Sequence, residues 1–170
     1  MHYYQVYLTV TIDGKKVASV ENKDPRTFKD VSFFAGYKFH PAADASYRNL
    51  VWDWKNIGLS GDLKRNTEIG TIPSWGPQFR IHFDLKINSH VSGDRGGWSC
   101  VISFKKDGGK SNAGRYGDRS PSIYMNKKGF LVVESAVNGR HNHFFKFNSI
   151  KLNKWFSVTI EQTSDKGKVR

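Results

Sequence analysis

The sequence predicts an all-β fold, and two observations carry that prediction. Segments in which apolar and polar residues alternate follow one another along the 170-residue chain, a pattern typical of half-buried strands. Glycine, asparagine, aspartate or proline separates most of these segments, and no stretch keeps a helical period over about ten residues. Many short strands divided by turns indicate an antiparallel sandwich or barrel.

The alternation assigns the strands in chain order. Residues 4–12, 79–87 and 156–162 alternate most clearly, and the second of these places five apolar side chains on one face: Phe79, Ile81, Phe83, Leu85 and Ile87. The other strand segments are 16–21, 31–37, 47–54, 98–104, 122–126, 130–137 and 143–149. Residues 53–72 are more polar and less regular, and they predict either a connection across the sandwich or an interdomain linker.

Cysteine content and apolar segments restrict the class of protein. The single cysteine, Cys100, cannot form a disulfide within the chain, and its apolar surroundings predict a small buried side chain rather than a reactive thiol. No apolar stretch approaches the roughly 20 residues of a membrane helix, and the N-terminal segment lacks the features of a secretory signal. We therefore expect no membrane insertion, and either a cytosolic chain or a mature secreted one.

The formal net charge of +12 favours polyanionic partners, such as sulfated glycans, nucleic acid, acidic membranes or mineral surfaces. The basic residues lie in short clusters beside glycine, asparagine or aspartate, where hairpin tips expose lysines in any case. A generally basic surface and a specific polyanion site both stay open. Because no aromatic, glycine-rich RNA-binding signature is present, we expect no specific nucleic-acid partner.

The last eight residues, TSDKGKVR (163–170), raise a question of strand pairing. They place a turn signal after a strand, yet no returning strand follows. The stretches NTEIGTIPSWGPQFRIHFDLKINS (66–89), YGDRSPSIYMNKKGFLVVESAVNGRHNHFF (116–145) and LNKWFSVTIEQ (152–162) together resemble the concanavalin A-like, laminin-G-like jelly-roll domain of secreted marine-invertebrate proteins. The segments expected next in that family stand at the other end of this chain, in residues 10–36 and HPAADASYRNLVW (40–52).

This resemblance implies a single antiparallel β-sandwich over 1–170, a jelly roll in circularly permuted order. Residues 1–52 resemble the C-terminal part of the family domain and 56–170 its N-terminal part, so residues 3–12 supply the missing returning strand. Two accounts follow. Either the strand closes one compact sandwich, or it pairs between molecules and gives swapped oligomers or filaments. The resemblance also implies an extracellular location.

Acidic residues do not form an evident catalytic pair. Glycosidases on related sandwiches need two carboxyl groups facing one groove, whereas Asp84 is isolated and Glu134 has no acidic neighbour in sequence. Glu134 and Glu161 can approach only across strands, and single solvated carboxylates are the simpler interpretation. No nucleophile-elbow sequence is present. We therefore expect a protein that is not an enzyme and has no cofactor, with calcium weakly indicated by the laminin-G resemblance.

Two loops contain candidate ligand-binding residues. The first is YGDRSP, which begins with the candidate Tyr116. In it Asp118 can contact a hard cation and Arg119 can pair with a carboxylate or sulfate. Alternatively, Asp118 and Arg119 brace the turn before Pro121.

Asn138-Gly139 predicts a hairpin turn, and four polar residues follow it. His141 and His143 alternate and can lie on one side of a strand, which permits transition-metal binding, whereas Arg140 and Asn142 can hydrogen-bond to sugar hydroxyls or sulfates. The alternative is an exposed polar face.

Tryptophans supply candidate platforms for sugars, which stack on aromatic rings. Trp75 in SWGP is one candidate, and Trp98 is another because Asp94 and Arg95 stand beside it. The alternative is that Trp98 and Trp155 begin strands and anchor the core. We also expect Trp52 and Trp54, in VWDW, to pack rather than form an exposed platform.

Together these features predict a non-enzymatic extracellular binding module that recognises glycans or sulfated and acidic polymers through rim loops and a basic surface. The alternative is a structural protein that assembles into homo-oligomers through its terminal strands and binds an acidic matrix or mineral.

Overall fold

The computed structural model describes residues 5–36, 40–53, 55–90, 97–106, 115–148 and 150–164. These residues form thirteen strands: β1 Val6–Ile12, β2 Lys15–Glu21, β3 Phe28–Ala35, β4 Ala45–Trp52, β5 Lys55–Asn56, β6 Gly61–Asp62, β7 Thr67–Trp75, β8 Phe79–Ile87, β9 Trp98–Lys105, β10 Ser122–Asn126, β11 Leu131–Val137, β12 Arg140–Phe147 and β13 Trp155–Ser164. In this part of the chain, no helix is long and apolar enough to span a bilayer.

The strands form two antiparallel sheets packed face to face. One sheet has the order β2-β1-β13-β8-β4-β5, with β6 also paired to β4, and the other has the order β12-β11-β10-β9-β3-β7. A single main apolar cluster fills the space between them, with residues from both sheets. The predicted all-β antiparallel sandwich is therefore confirmed, and burial of this interior is its main source of stability.

Alternation along β8 shows how the sequence specifies the sandwich. Its five predicted inward side chains are all buried, whereas the residues between them are half-buried on the outer face. A shift of one residue would turn that apolar set toward solvent, so burial fixes the register of β8 with β13 and β4.

The strand expected to return after β13 is β1. The pair is antiparallel, and its register runs from Val6 opposite Ser164 to Ile12 opposite Val158 within one chain. Strand β2 then continues the sheet on the other side of β1. Strand β1 is thus an inner strand, although it stands at the beginning of the sequence.

The segment 53–72 leads from β4 in one sheet to β7 in the other, so it is a connection across the sandwich, as the first alternative held, and it contains strands of its own. Strands β5 and β6 add to β4, and β7 pairs with β3 at the edge of its sheet. Most side chains of β7 face solvent. Pro73 has no backbone N–H to donate to a neighbouring strand, and an edge strand tolerates this loss. An edge strand of this kind has little alternation, so its pattern was weak.

The six-stranded sheet buries much of its outer face as well. Ser103 Oγ and Ser122 Oγ lie 2.7 Å apart there and are buried. The backbone around Arg119 runs along β11, because Ala136 N donates to Arg119 O at 3.0 Å. Residues 40–43 run beside β9, where Cys100 N donates to Pro41 O at 2.8 Å. These two segments form the walls of the groove described next.

Candidate functional site

An open groove crosses the outer face of the six-stranded sheet over β9, β10, β11 and β12. It consists of two adjoining depressions of about 180 Å³ and about 340 Å³. Trp98 of β9 and Glu134 of β11 line both depressions, which therefore form one continuous surface. We call this surface the outer groove and its two parts the polar half and the apolar half.

The polar half joins Trp98 and Glu134 to three further side chains: His40, Arg119 and Tyr124. Arg119 Nε lies 3.0 Å from Glu134 Oε2, and the His40 ring meets the edge of the Tyr124 ring at 5.5 Å between centroids. His40 Nδ1 is buried, and no group in the described part of the chain hydrogen-bonds to it. Arg119 Nε and Glu134 Oε2 are likewise buried without a hydrogen-bond partner in the described part of the chain, so several polar atoms of this half are unsatisfied.

The apolar half is lined by aromatic and aliphatic side chains with a rim of polar ones. Phe130, Val132 and Phe144 form its floor and wall, with Asn126, Lys128 and Lys146 around them. Phe144 is 61% exposed and stands opposite Glu134 in the β11–β12 register, so both project from the same face. Lys146 Nζ lies 3.7 Å from the centroid of the Phe130 ring. This half therefore offers apolar surface beside fixed polar groups.

Burial changes the proton affinities of the polar half. It raises the pKa of Glu134, against the opposing positive charges of Arg119 and His141. It lowers the pKa of His40, and the positive charge of Arg119 acts in the same direction. Burial also raises the pKa of Tyr124. At neutral pH, His40 is therefore a neutral imidazole and Tyr124 a phenol, and each can both donate and accept hydrogen bonds.

Stability should fall as the pH is lowered from 7 toward 5, in part because of His40. Its pKa is lower in the folded chain than the ordinary value of about 6.5 in the unfolded chain, so protons bind the unfolded chain more tightly. Burial and Arg140 lower the pKa of His143 as well. Urea unfolding between pH 5 and 7 should give a smaller pH slope for His40→Gln than for the unchanged protein. Equal slopes would contradict the assignment.

In the outer groove the structure brings together two of the described candidate ligand-binding residues with Glu134, which the sequence analysis considered as a carboxylate. Trp98 and Arg119 line the polar half of the outer groove. Trp98 begins β9, as the alternative interpretation held, but it is only half-buried and packs on Cys100 and Tyr124 in a small cluster apart from the main core, so it does not anchor that core. Asp94 and Arg95 lie outside the described residues.

The prediction of a ligand-binding role is wrong for two residues, because their side chains are buried. Trp75 is 1% exposed and stacks on Trp52 with 4.0 Å between ring centroids. Asp118 is 0% exposed, and its Oδ2 accepts a hydrogen bond from Arg115 N at 2.7 Å. Asp118 thus braces its turn, as the alternative interpretation held. The expected packing of Trp52 and burial of Cys100 are confirmed, and Trp54 lies outside the described residues.

Tyr116 and Asn138 hold loops together at one end of the sandwich. Tyr116 Oη donates to Asp24 O at 2.9 Å, and the Arg26 guanidinium lies 4.1 Å from the centroid of the Tyr116 ring. Asn138 has a positive φ of 52°, as its predicted turn with Gly139 requires, and its side chain donates to Glu21 O at 2.9 Å. Both residues lie away from the outer groove.

The polar residues after that turn alternate along β12. Arg140 and Asn142 are exposed, whereas His141 and His143 are half-buried between them. None of the four lines the outer groove. Across the described residues, no group of three or more His, Cys, Asp or Glu side chains is arranged to hold a metal ion.

Glu134 and Glu161 do not approach each other. Glu134 lies on the outer face of one sheet and is paired with Arg119, whereas Glu161 lies on β13 of the other sheet, 4.0 Å from Arg80. The interpretation of Glu134 as a single solvated carboxylate is therefore wrong. Trp155 does not anchor the core either, because it is 37% exposed.

Sequence reasoning missed His40 and Tyr124. Tyr124 lies in the predicted strand SIYMN, where alternation with Ile123 and Met125, both buried in the main core, points it to the outer face. His40 reaches the groove from a segment far away in sequence, which no local pattern reveals. Comparisons with models of protein families, with curated proteins and with solved structures found no match.

Proposed function

We propose that the protein is a non-enzymatic carbohydrate-binding module and that the outer groove is its binding site. The position of Trp98 carries the proposal, because it lies where the polar half meets the apolar half. A sugar ring has apolar C–H faces and a polar edge of hydroxyl groups. An aromatic ring beside fixed donors and acceptors complements both parts.

The polar half supplies hydrogen-bonding groups for sugar hydroxyls. The Arg119–Glu134 pair offers a planar donor and a carboxylate acceptor held at 3.0 Å, and each restrains the other before a ligand arrives. Preorganised polar groups lose less conformational freedom on binding. The His40 ring lines the same half and, as a neutral imidazole, has one donor and one acceptor nitrogen. The apolar half extends the groove, so it has room for more than one sugar unit.

The resemblance to domains of secreted proteins supports an extracellular location for this module. A binding role at the cell surface or in the matrix is the corresponding proposal for its partners.

Replacing Trp98 by alanine should weaken sugar binding by about 30-fold, the effect typical of a central aromatic contact. The probes are cellohexaose, laminarihexaose, chitohexaose and mannohexaose, each titrated by calorimetry into the unchanged protein and into the variant. Trp155→Ala is the matched control, because Trp155 is also partly exposed but lies outside the outer groove.

Two results would reject the proposal. One is the absence of binding by the unchanged protein to all four sugars. The other is an equal loss of affinity in Trp98→Ala and Trp155→Ala, which would exclude a specific role for the groove.

A further inference from the structure

A second groove lies at the end of the sandwich, between the β1–β2 hairpin and the connection from β12 to β13. Its volume is about 550 Å³, within the range of sites for small ligands. Of the residues that the structure describes, six with apolar side chains line it: Ile12, Val17, Phe147, Ile150, Trp155 and Phe156. Three lysines also line it, Lys146, Lys151 and Lys154, and we call it the lysine groove.

Two exposed apolar side chains mark the lysine groove as an unusual surface. Among the described residues, the exposed large apolar side chains are Val17, Phe144 and Trp155. Val17 and Trp155 both line this groove, from strands of the same sheet. Exposed apolar surface gathered in a concave site is typical of ligand binding.

Positive charge surrounds the same surface. Arg48 Cζ lies 4.3 Å from the centroid of the Trp155 ring, and Lys86 Nζ lies 5.3 Å from it. Arg48 is paired with Asp84 at 3.1 Å, so the excess positive charge comes from Lys86 and the lining lysines. Asp13 is the acidic residue of the lining, and its Oδ1 accepts a hydrogen bond from Ser157 N at 2.8 Å.

We propose that the lysine groove binds a small amphipathic anion, in which an apolar chain or ring bears one sulfate, sulfonate, carboxylate or phosphate group. The apolar body lies against Ile12, Ile150 and Trp155, and Lys151 and Lys154 attract the acidic group. A purely apolar ligand leaves the lysines without a counter-charge, and a small inorganic anion leaves the apolar wall exposed to water. The proposal does not rest on the carbohydrate site, because among the described lining residues the two grooves share only Lys146.

The test uses 1-anilinonaphthalene-8-sulfonate as a fluorescent amphipathic anion, added to the folded full-length chain. Decyl sulfate should displace it, whereas decanol and inorganic sulfate should need concentrations at least about tenfold higher, since each supplies one of the two interactions. The double variant Lys151→Gln/Lys154→Gln should bind decyl sulfate about fivefold more weakly, because it lacks two exposed charges. Asp13→Asn should bind it more tightly.

A charge-matched control separates a site from general attraction to a basic protein. Lys29→Gln/Lys64→Gln removes the same charge from two exposed lysines that lie outside both grooves, and it should bind decyl sulfate as the unchanged protein does. Equal weakening in both double variants would overturn the proposal. So would equal displacement by decanol and decyl sulfate, stronger displacement by dextran sulfate, or no binding of the fluorescent anion.

Two further measurements define the outcome. Sedimentation with vesicles that contain phosphatidylserine distinguishes the source of the ligand. If the vesicles capture the unchanged protein but not Lys151→Gln/Lys154→Gln, the acidic group is that of a lipid headgroup. If they do not capture the unchanged protein although it binds decyl sulfate, the ligand is a free amphiphile. Trp98→Ala should retain decyl sulfate binding. The carbohydrate proposal can therefore fail without affecting the test of the lysine groove. The urea midpoint of each variant should equal that of the unchanged protein, which confirms that the fluorescent anion binds folded protein and not a partly unfolded state.

Discussion

Replacing Trp75 by alanine should lower the free energy of unfolding by about 3–5 kcal/mol, the cost of truncating a large buried aromatic side chain. Trp75 is 1% exposed, and its ring lies 4.7 Å from Phe79 and 5.4 Å from Phe104 between centroids, in addition to its stack on Trp52. Its removal therefore leaves a cavity between the two sheets. Domains unfold with only about 5–15 kcal/mol, so urea unfolding followed by circular dichroism will detect the change easily.

Trp155→Ala is the control for this measurement, because it removes the same side chain from an exposed position. We expect it to change the free energy of unfolding by about 1 kcal/mol or less. Comparable destabilisation by the two substitutions would contradict the burial assigned to Trp75. Folded Trp75→Ala should also keep its sugar affinity, since Trp75 lies outside the outer groove.

Strands that are buried on one face could be predicted from the sequence, because burial imposes a period of two. Strand β8 is the clearest case, since its five inward residues follow that period without a break. The edge strand β7 could not be predicted in the same way. Its inward residues Ile72 and Trp75 are three apart, and its pairing with β3 contains an irregularity.

The orientation of single aromatic residues was the main source of error. Trp75 was a candidate platform for sugars, whereas it is the buried last residue of β7. For Trp155 the signal was present. Phe156, Val158 and Ile160 face inward, and a residue one position before Phe156 must then face outward.

The outer groove could be predicted only in part. Trp98 and Arg119 were candidates because sugars stack on aromatic rings and a guanidinium pairs with carboxylate or sulfate groups. The rest of the polar half depends on tertiary packing: residues 40–43 run beside Cys100, and a long-range pairing brings Arg119 to Glu134. Local patterns contain no information about such distant contacts.

Removing residues 1–12 should prevent the chain from folding, which is the larger of the two effects argued here. Strand β1 lies between β2 and β13, and its side chains Leu8 and Val10 are fully buried. Without it, β2 has no neighbour and β13 exposes a row of unpaired backbone groups. We expect the truncated chain to show no cooperative urea transition and poor dispersion of its amide NMR signals. Cooperative unfolding of the truncated chain would contradict the position of β1.

A rearranged chain tests whether β1 acts as the returning strand of β13. Residues 59–170 followed by 1–58 keep every strand and move the break to the connection between β5 and β6. In this order β1 follows β13 directly in the sequence, as a returning strand does, and Ser164 already stands opposite Val6. Breaks in surface connections are generally tolerated. We expect the rearranged chain to unfold cooperatively and both chains to be monomers by light scattering. Oligomers of the natural order beside monomers of the rearranged order would instead indicate that β1 pairs between molecules.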